Sequence, residues 1–190
     1  GTPEGCSTVN DTTFDGQSYT SISSTGGDIW ADGDVFEFAY SRLAGDFDVA
    51  IRLRDRIHST DSGIWGKFGL MARQSLDHDA RFGYLQDHLP LTWSDDSARL
   101  ERRYIHGEPA AVDEPAVTEW FVDPNDASSL KHPVYMRLSR QGNVIDVWAS
   151  NTAGEPGFDP GDPANWALIF SDDWGPVAPR NLYIGFANLE

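Results

Sequence analysis

Asp46 to Ile57 reads DFDVAIRLRDRI, and the alternation in this stretch decides the fold. Phe47, Val49, Ile51 and Leu53 take every second position, while Asp46, Asp48, Arg52 and Arg54 fill those between. Successive side chains of a strand point to opposite faces, so this order describes a half-buried antiparallel strand. The segment VYMRLSR (134–140) repeats the pattern with Val134, Met136 and Leu138 inward. The short QGN (141–143) then leads into VIDVWAS (144–150), the signature of a hairpin.

Further strands are expected in DVFEFAYSRL (34–43), GKFGLMARQ (66–74), ARFGYLQD (80–87), RLERRYI (99–105), WALIFS (166–171) and NLYIGFAN (181–188). No segment carries a ten-residue helical stripe, so little helix is expected. Many short strands between Gly and Asp turns predict an all-β protein of two packed antiparallel sheets. A chain of 190 residues is long enough to bury its own core, and one domain over 1–190 is expected. Three polar stretches, 89–98, 107–133 and 151–165, are read as long loops, a length that is often functional.

Composition narrows the partners. Thirty acidic residues against 14 basic ones leave a net charge of −16, which excludes nucleic acid as a general partner, since phosphate binding needs clustered Lys and Arg. Lys67 and Lys131 are the only lysines, and a surface this rich in Asp suits either a salty or calcium-containing medium or an acidic secreted protein. Cys6 is the single cysteine, so no disulfide forms within the chain. No apolar run is long enough to span a bilayer, no signal peptide is recognisable, and the opening GTPEG reads as a processed or excised start.

Catalytic signatures are few. GxSxG, HExxH, GxxxxGK and GxGxxG are all missing. A polysaccharide lyase needs a cation to neutralise a uronate carboxylate and a Tyr or His to move a proton, and Lys67, Arg73, His78, Tyr84 and His58 offer these types. Asp28, Asp32 and Asp34 in GGDIWADGD supply hard oxygen ligands for a structural calcium ion, as do Asp159 and Asp162 in DPGD, although Asp and Gly also serve turn geometry by themselves. Seven tryptophans suit a sugar site, because aromatic rings stack on the apolar C–H faces of sugars. Trp65, Trp93 and Trp120 stand at a strand entrance or in long loops, whereas Trp148 and Trp166 sit in β patterns as core or rim.

Taken in order, GGDIWADGDVFEFAYSRLAGDFDVAIRLRD, WGKFGLMARQSLDHDARFGYL, VYMRLSRQGNVIDVWAS and the later NWALI resemble a bacterial concanavalin A-like family, often labelled enolase-regulation-like. The likeness runs from about Gly26 to Phe186. It implies a two-sheet jelly roll, secreted and often attached to extracellular enzymes, and it brings no catalytic constellation. The loops at 107–133 and 151–165 depart from the family pattern. Arg56-Ile57-His58 is similar to the Q-I-H of jelly-roll alginate lyases, whose R-S/T-E-L segment has no counterpart here, nor has the E-x-D-x-x-E of jelly-roll glucanases.

The expectation is a secreted, non-catalytic glycan-binding domain that uses a concave sheet face. Trp65, Lys67, Arg73, Tyr84, Trp93 and Arg103 are the expected contacts, and two glycines in GKFGLMARQ would open a groove above the sheet. Lys67 and Arg73 would either meet the ligand or be held by neighbouring acids. Two alternatives stay open: a lyase or glycosidase acting on an acidic glycan, and a structural or protein-interaction domain.

Overall fold

A computed structural model describes residues 8–14, 17–23, 28–30, 33–53, 67–88, 97–113, 135–150, 159–176 and 178–189. Among these residues the protein is all β, with one short 3-10 turn at Pro163–Asn165. In chain order the strands are β1 (Thr8–Phe14), β2 (Gln17–Ser23), β3 (Ile29–Trp30), β4 (Gly33–Asp34), β5 (Glu37–Ala44), β6 (Phe47–Arg52) and β7 (Lys67–Arg73). They continue as β8 (Phe82–His88), β9 (Ser97–Arg103), β10 (Ala111–Asp113), β11 (Tyr135–Gln141), β12 (Val144–Ser150), β13 (Ala167–Asp173) and β14 (Asn181–Leu189).

Ten of the strands form two antiparallel sheets, ordered β10-β9-β8-β7-β14-β5 and β13-β12-β11-β6. Their facing sides make a sandwich. Leu70, Ala72, Leu85, Leu100, Leu182 and Ile184 from the six-stranded sheet meet Met136, Leu138, Ile145, Val147 and Ala149 from the four-stranded one. Phe47, Val49, Ile51 and Leu53 pack against this core as their alternation requires, while Asp48 and Arg52 face outward. Val134 lies outside the described residues, and Met136 and Leu138 are fully buried. Gly142 closes the β11–β12 hairpin at φ +62°, a conformation that glycine adopts without cost.

Two hairpins stand apart from the main sheets. β1 pairs with β2, and β3 pairs with β4. The first escapes a hydrophobic reading because TVNDTTF and QSYTSIS are dominated by Thr, Ser and Asp. β10 lies inside the stretch read as one long loop, so that loop is interrupted by three residues that extend the sheet beside β9.

Gly69 does different work from the expected one, and Gly66, the other glycine of GKFGLMARQ, lies outside the described residues. A Cβ on Gly69 would run into the Leu85 carbonyl of β8, and one on Gly185 into the Ala39 carbonyl of β5. The space left by the missing side chains is filled by neighbouring backbone, so these glycines permit close strand approach. Gly69→Ala is expected to lower stability by about 1 to 3 kcal/mol through forced strand displacement. A urea titration would read this as a lower midpoint, and an unchanged midpoint would show that β7 and β8 can separate freely.

Candidate functional site

The outer face of the six-stranded sheet collects most of the sequence candidates. Register places Lys67, Gly69, Met71 and Arg73 of β7 on it, beside Tyr84 and Gln86 of β8 and Glu101 and Arg103 of β9. On the other side of β7 the same face continues through Tyr183, Gly185 and Ala187 of β14 to Arg42, Tyr40 and Phe38 of β5. Its middle is covered. The β3–β4 hairpin lays Ile29 into a second apolar cluster with Met71, Phe82, Tyr84, Ala110 and Ala187, edged by Phe36 and Phe38.

Charges fasten that hairpin at two points. At one, the Asp34 carboxylate accepts from Arg73 Nη1 at 2.7 Å and from Arg103 Nη1 and Nη2 at 2.8 Å each. All three side chains are buried, and burial pulls the Arg73 guanidinium below its ordinary pKa while Asp34 acts against that shift. The remaining donors bind loop carbonyls: Arg73 reaches Ser75 and Asp77, and Arg103 reaches Ala80 and Glu108. At the other point, Lys67 Nζ donates to Asp28 Oδ1 at 2.8 Å, to the Ile29 carbonyl at 2.9 Å and to Glu101 Oε2 at 3.2 Å.

Of the two uses foreseen for Lys67 and Arg73, the structure gives them the second: both are held by acids. Arg103 and Tyr84 are likewise enclosed, with the Tyr84 hydroxyl donating to the Ala187 carbonyl at 3.1 Å across β7. Asp28 and Asp34 engage the chain's own cations, and no group of three or more His, Cys, Asp or Glu is arranged to hold a metal among the described residues. Asp159 and Asp162 accept from the backbone N–H groups of Gly161 and Ala164, which is turn and cap geometry. Trp65, Trp93, Trp120, Asp32 and the Arg56–His58 segment lie outside the described residues. Trp148 sits half-buried on the outer face of the four-stranded sheet, where Arg137 lies over its ring.

Two features of this face escape the sequence motifs. The first is Glu101, which is 0% exposed and whose carboxyl burial pushes up to about 7, with Lys67 acting against the shift. Its Oε1, and the Oε1 of Gln86, are buried without a hydrogen-bond partner among the described residues. Nothing in RLERRYI announces this, because the lysine bonded to Glu101 and the acids Asp28 and Asp34 near it come from far earlier in the chain.

The second is an aromatic row. Phe36 meets Phe38 at 5.7 Å between ring centroids, Phe38 stacks on Tyr40 at 5.2 Å, and Tyr40 meets Tyr183 edge-on at 5.3 Å. Tyr40 is 46% exposed, and Arg42, opposite Tyr183 in register, is exposed beside it. The period-two spacing of Phe36, Phe38 and Tyr40 is the signal that could have found it.

Comparison of the chain with protein-family models, curated proteins and solved structures gave no match. No described helix is long and apolar enough to cross a membrane.

Proposed function

We propose that the protein is a secreted, non-catalytic glycan-binding domain of concanavalin A-like jelly-roll type, taking its ligand on the outer face of the six-stranded sheet. The observation that carries this reading is the aromatic row ending in solvent at Tyr40, flanked by Tyr183 and the exposed Arg42. A sugar ring stacks its C–H face on such a phenol, while a guanidinium beside it bonds hydroxyl, carboxylate or sulfate groups. This moves the contact surface from the enclosed Lys67, Arg73, Tyr84 and Arg103 to the β5–β14 side of the same face.

A glycan array followed by calorimetry on each hit tests the reading. Tyr40→Ala is expected to weaken binding about tenfold, or about 1.4 kcal/mol, with the fold intact because the ring is half out of the core. Equal affinity in Tyr40→Ala and the parent protein would remove this row from the site. An empty array would favour a protein-interaction role.

One observation favours a second reading, a lyase or glycosidase acting on an acidic glycan. A buried carboxyl poised near pH 7, with Lys67 bonded to it and Tyr84 opposite in register, has the makings of an acid/base centre. Release of unsaturated or reducing ends from any array hit would favour that reading over simple binding.

A further inference from the structure

We propose that the β3–β4 hairpin is a lid over the middle of the six-stranded sheet, and that loss of a proton from Glu101 loosens it. The geometry is a lysine divided between two carriers. Lys67 holds the hairpin through Asp28 Oδ1 and the Ile29 carbonyl, and holds the sheet through Glu101 Oε2. Glu101 is wholly enclosed, Gln86 is 1% exposed, and the Oε1 of each has no hydrogen-bond partner among the described residues.

A neutral carboxyl tolerates that enclosure, whereas an ionised one leaves an oxygen charged and unsolvated. Hydration of the ionised form is regained when the hairpin lifts. The sign follows from where the proton is held more tightly. With the hairpin closed the Glu101 carboxyl sits at about 7, against 4.5 for an unperturbed glutamate. Closure is therefore favoured at low pH and weakens as pH rises through that interval. Lifting the hairpin uncovers Lys67, Tyr84 and Gln86, polar groups adjoining the Tyr40 row on the same face, so a larger glycan platform would appear at higher pH. That last step rests on the glycan-binding reading; the lid itself does not.

Other groups face this centre. Asp28 and Asp34 approach from the hairpin, Lys67 and Arg73 from β7, Tyr84 from β8 and Arg103 from β9. Register sets His88 opposite Lys67 and places Arg99 two positions from Glu101, and the His78 ring lies close to Gly33. Both histidines need their own controls.

Hydrogen exchange of the full chain without ligand tests the lid through one amide and its control. Asp34 N–H donates to the His78 carbonyl, outside the hairpin, so it loses protection when the hairpin lifts, whereas Val35 N–H donates to the Asp28 carbonyl within the hairpin and reports that the hairpin itself stays folded. Corrected for intrinsic exchange, with β11 and β12 amides as internal reference, the protection of Asp34 N–H should fall about tenfold from pH 6 to pH 8. In Glu101→Gln it should stay flat, and in His78→Gln and His88→Gln the fall should persist. Asp28→Asn, a change at a half-exposed carboxylate, should lower protection at pH 6 while keeping the pH response. Constant protection in the parent chain, a response surviving in Glu101→Gln, a response lost with either histidine, or full protection in Asp28→Asn would each overturn the proposal. A lid that responds while the glycan array stays empty leaves this inference standing alone, and glycan binding with a pH-independent lid does the reverse.

Discussion

Asp34→Ala is expected to destabilise the protein by about 3 to 5 kcal/mol, the range measured when one partner of a buried ion pair is removed. The Asp34 carboxylate receives three hydrogen bonds from Arg73 and Arg103, and those guanidiniums have side-chain exposures of 2% and 0%. Removing the acid strands two cations beneath the β3–β4 hairpin, where neither reaches water. Their bonds to the carbonyls of Ser75, Asp77, Ala80 and Glu108 hold them in place, so retreat to the surface is blocked by the loops they support. Urea unfolding followed by far-ultraviolet dichroism measures the loss. Asp34→Asn should recover part of it, since an amide oxygen still accepts one guanidinium bond. A loss below about 1 kcal/mol is the value for a solvated surface pair, and would mean the knot is open to water.

Leu138→Ala should cost about 2 to 5 kcal/mol for a different reason. Leu138 is fully buried at the centre of the four-stranded sheet, in register with Val49 on one side and Val147 on the other. Truncation removes apolar area from the core and leaves a cavity that two hydrogen-bonded sheets cannot collapse to fill. Leu168→Ala is the matched control. Leu168 belongs to the same sheet but is 51% exposed, so its truncation should change stability by no more than about 0.5 kcal/mol. Thermal melts of the two variants should therefore separate by several degrees, and coincident melts would contradict the assignment of the inner and outer faces.

Both predictions concern residues whose period was plain and whose surroundings were not. Leu138 could be assigned to the core from VYMRLSR alone, because alternation over a strand is set by backbone geometry that every residue shares. The same local rule separated Leu70 and Ala72 from Lys67, Gly69, Met71 and Arg73, and the structure keeps that division between the inner core and the outer face. The QGN turn between β11 and β12 was legible for the same kind of reason, since it depends on three adjacent residues and a glycine at positive φ.

The cover of the outer face was not legible because it comes from far along the chain. Period two says that Lys67, Arg73 and Arg103 share a side of the sheet; it does not say whether water, a ligand or another segment lies above them. Asp34 is 39 residues from Arg73 and 69 from Arg103, and no local pattern links them. Gly69 of β7 shows the same limit. Its missing side chain suggested an open groove, while the space is taken by the carbonyl of Leu85 on the neighbouring strand.

The sequence by itself determined the all-β class and the core-facing residues of the principal strands, both of which depend on local alternation. Tertiary structure alone decided that Lys67, Arg73 and Arg103 of the outer face are spent on Asp28, Asp34 and Glu101, that Glu101 is enclosed and that Tyr40 reaches solvent. These depend on desolvation and on pairing between distant segments, and both exist only once the β3–β4 hairpin has closed over the sheet.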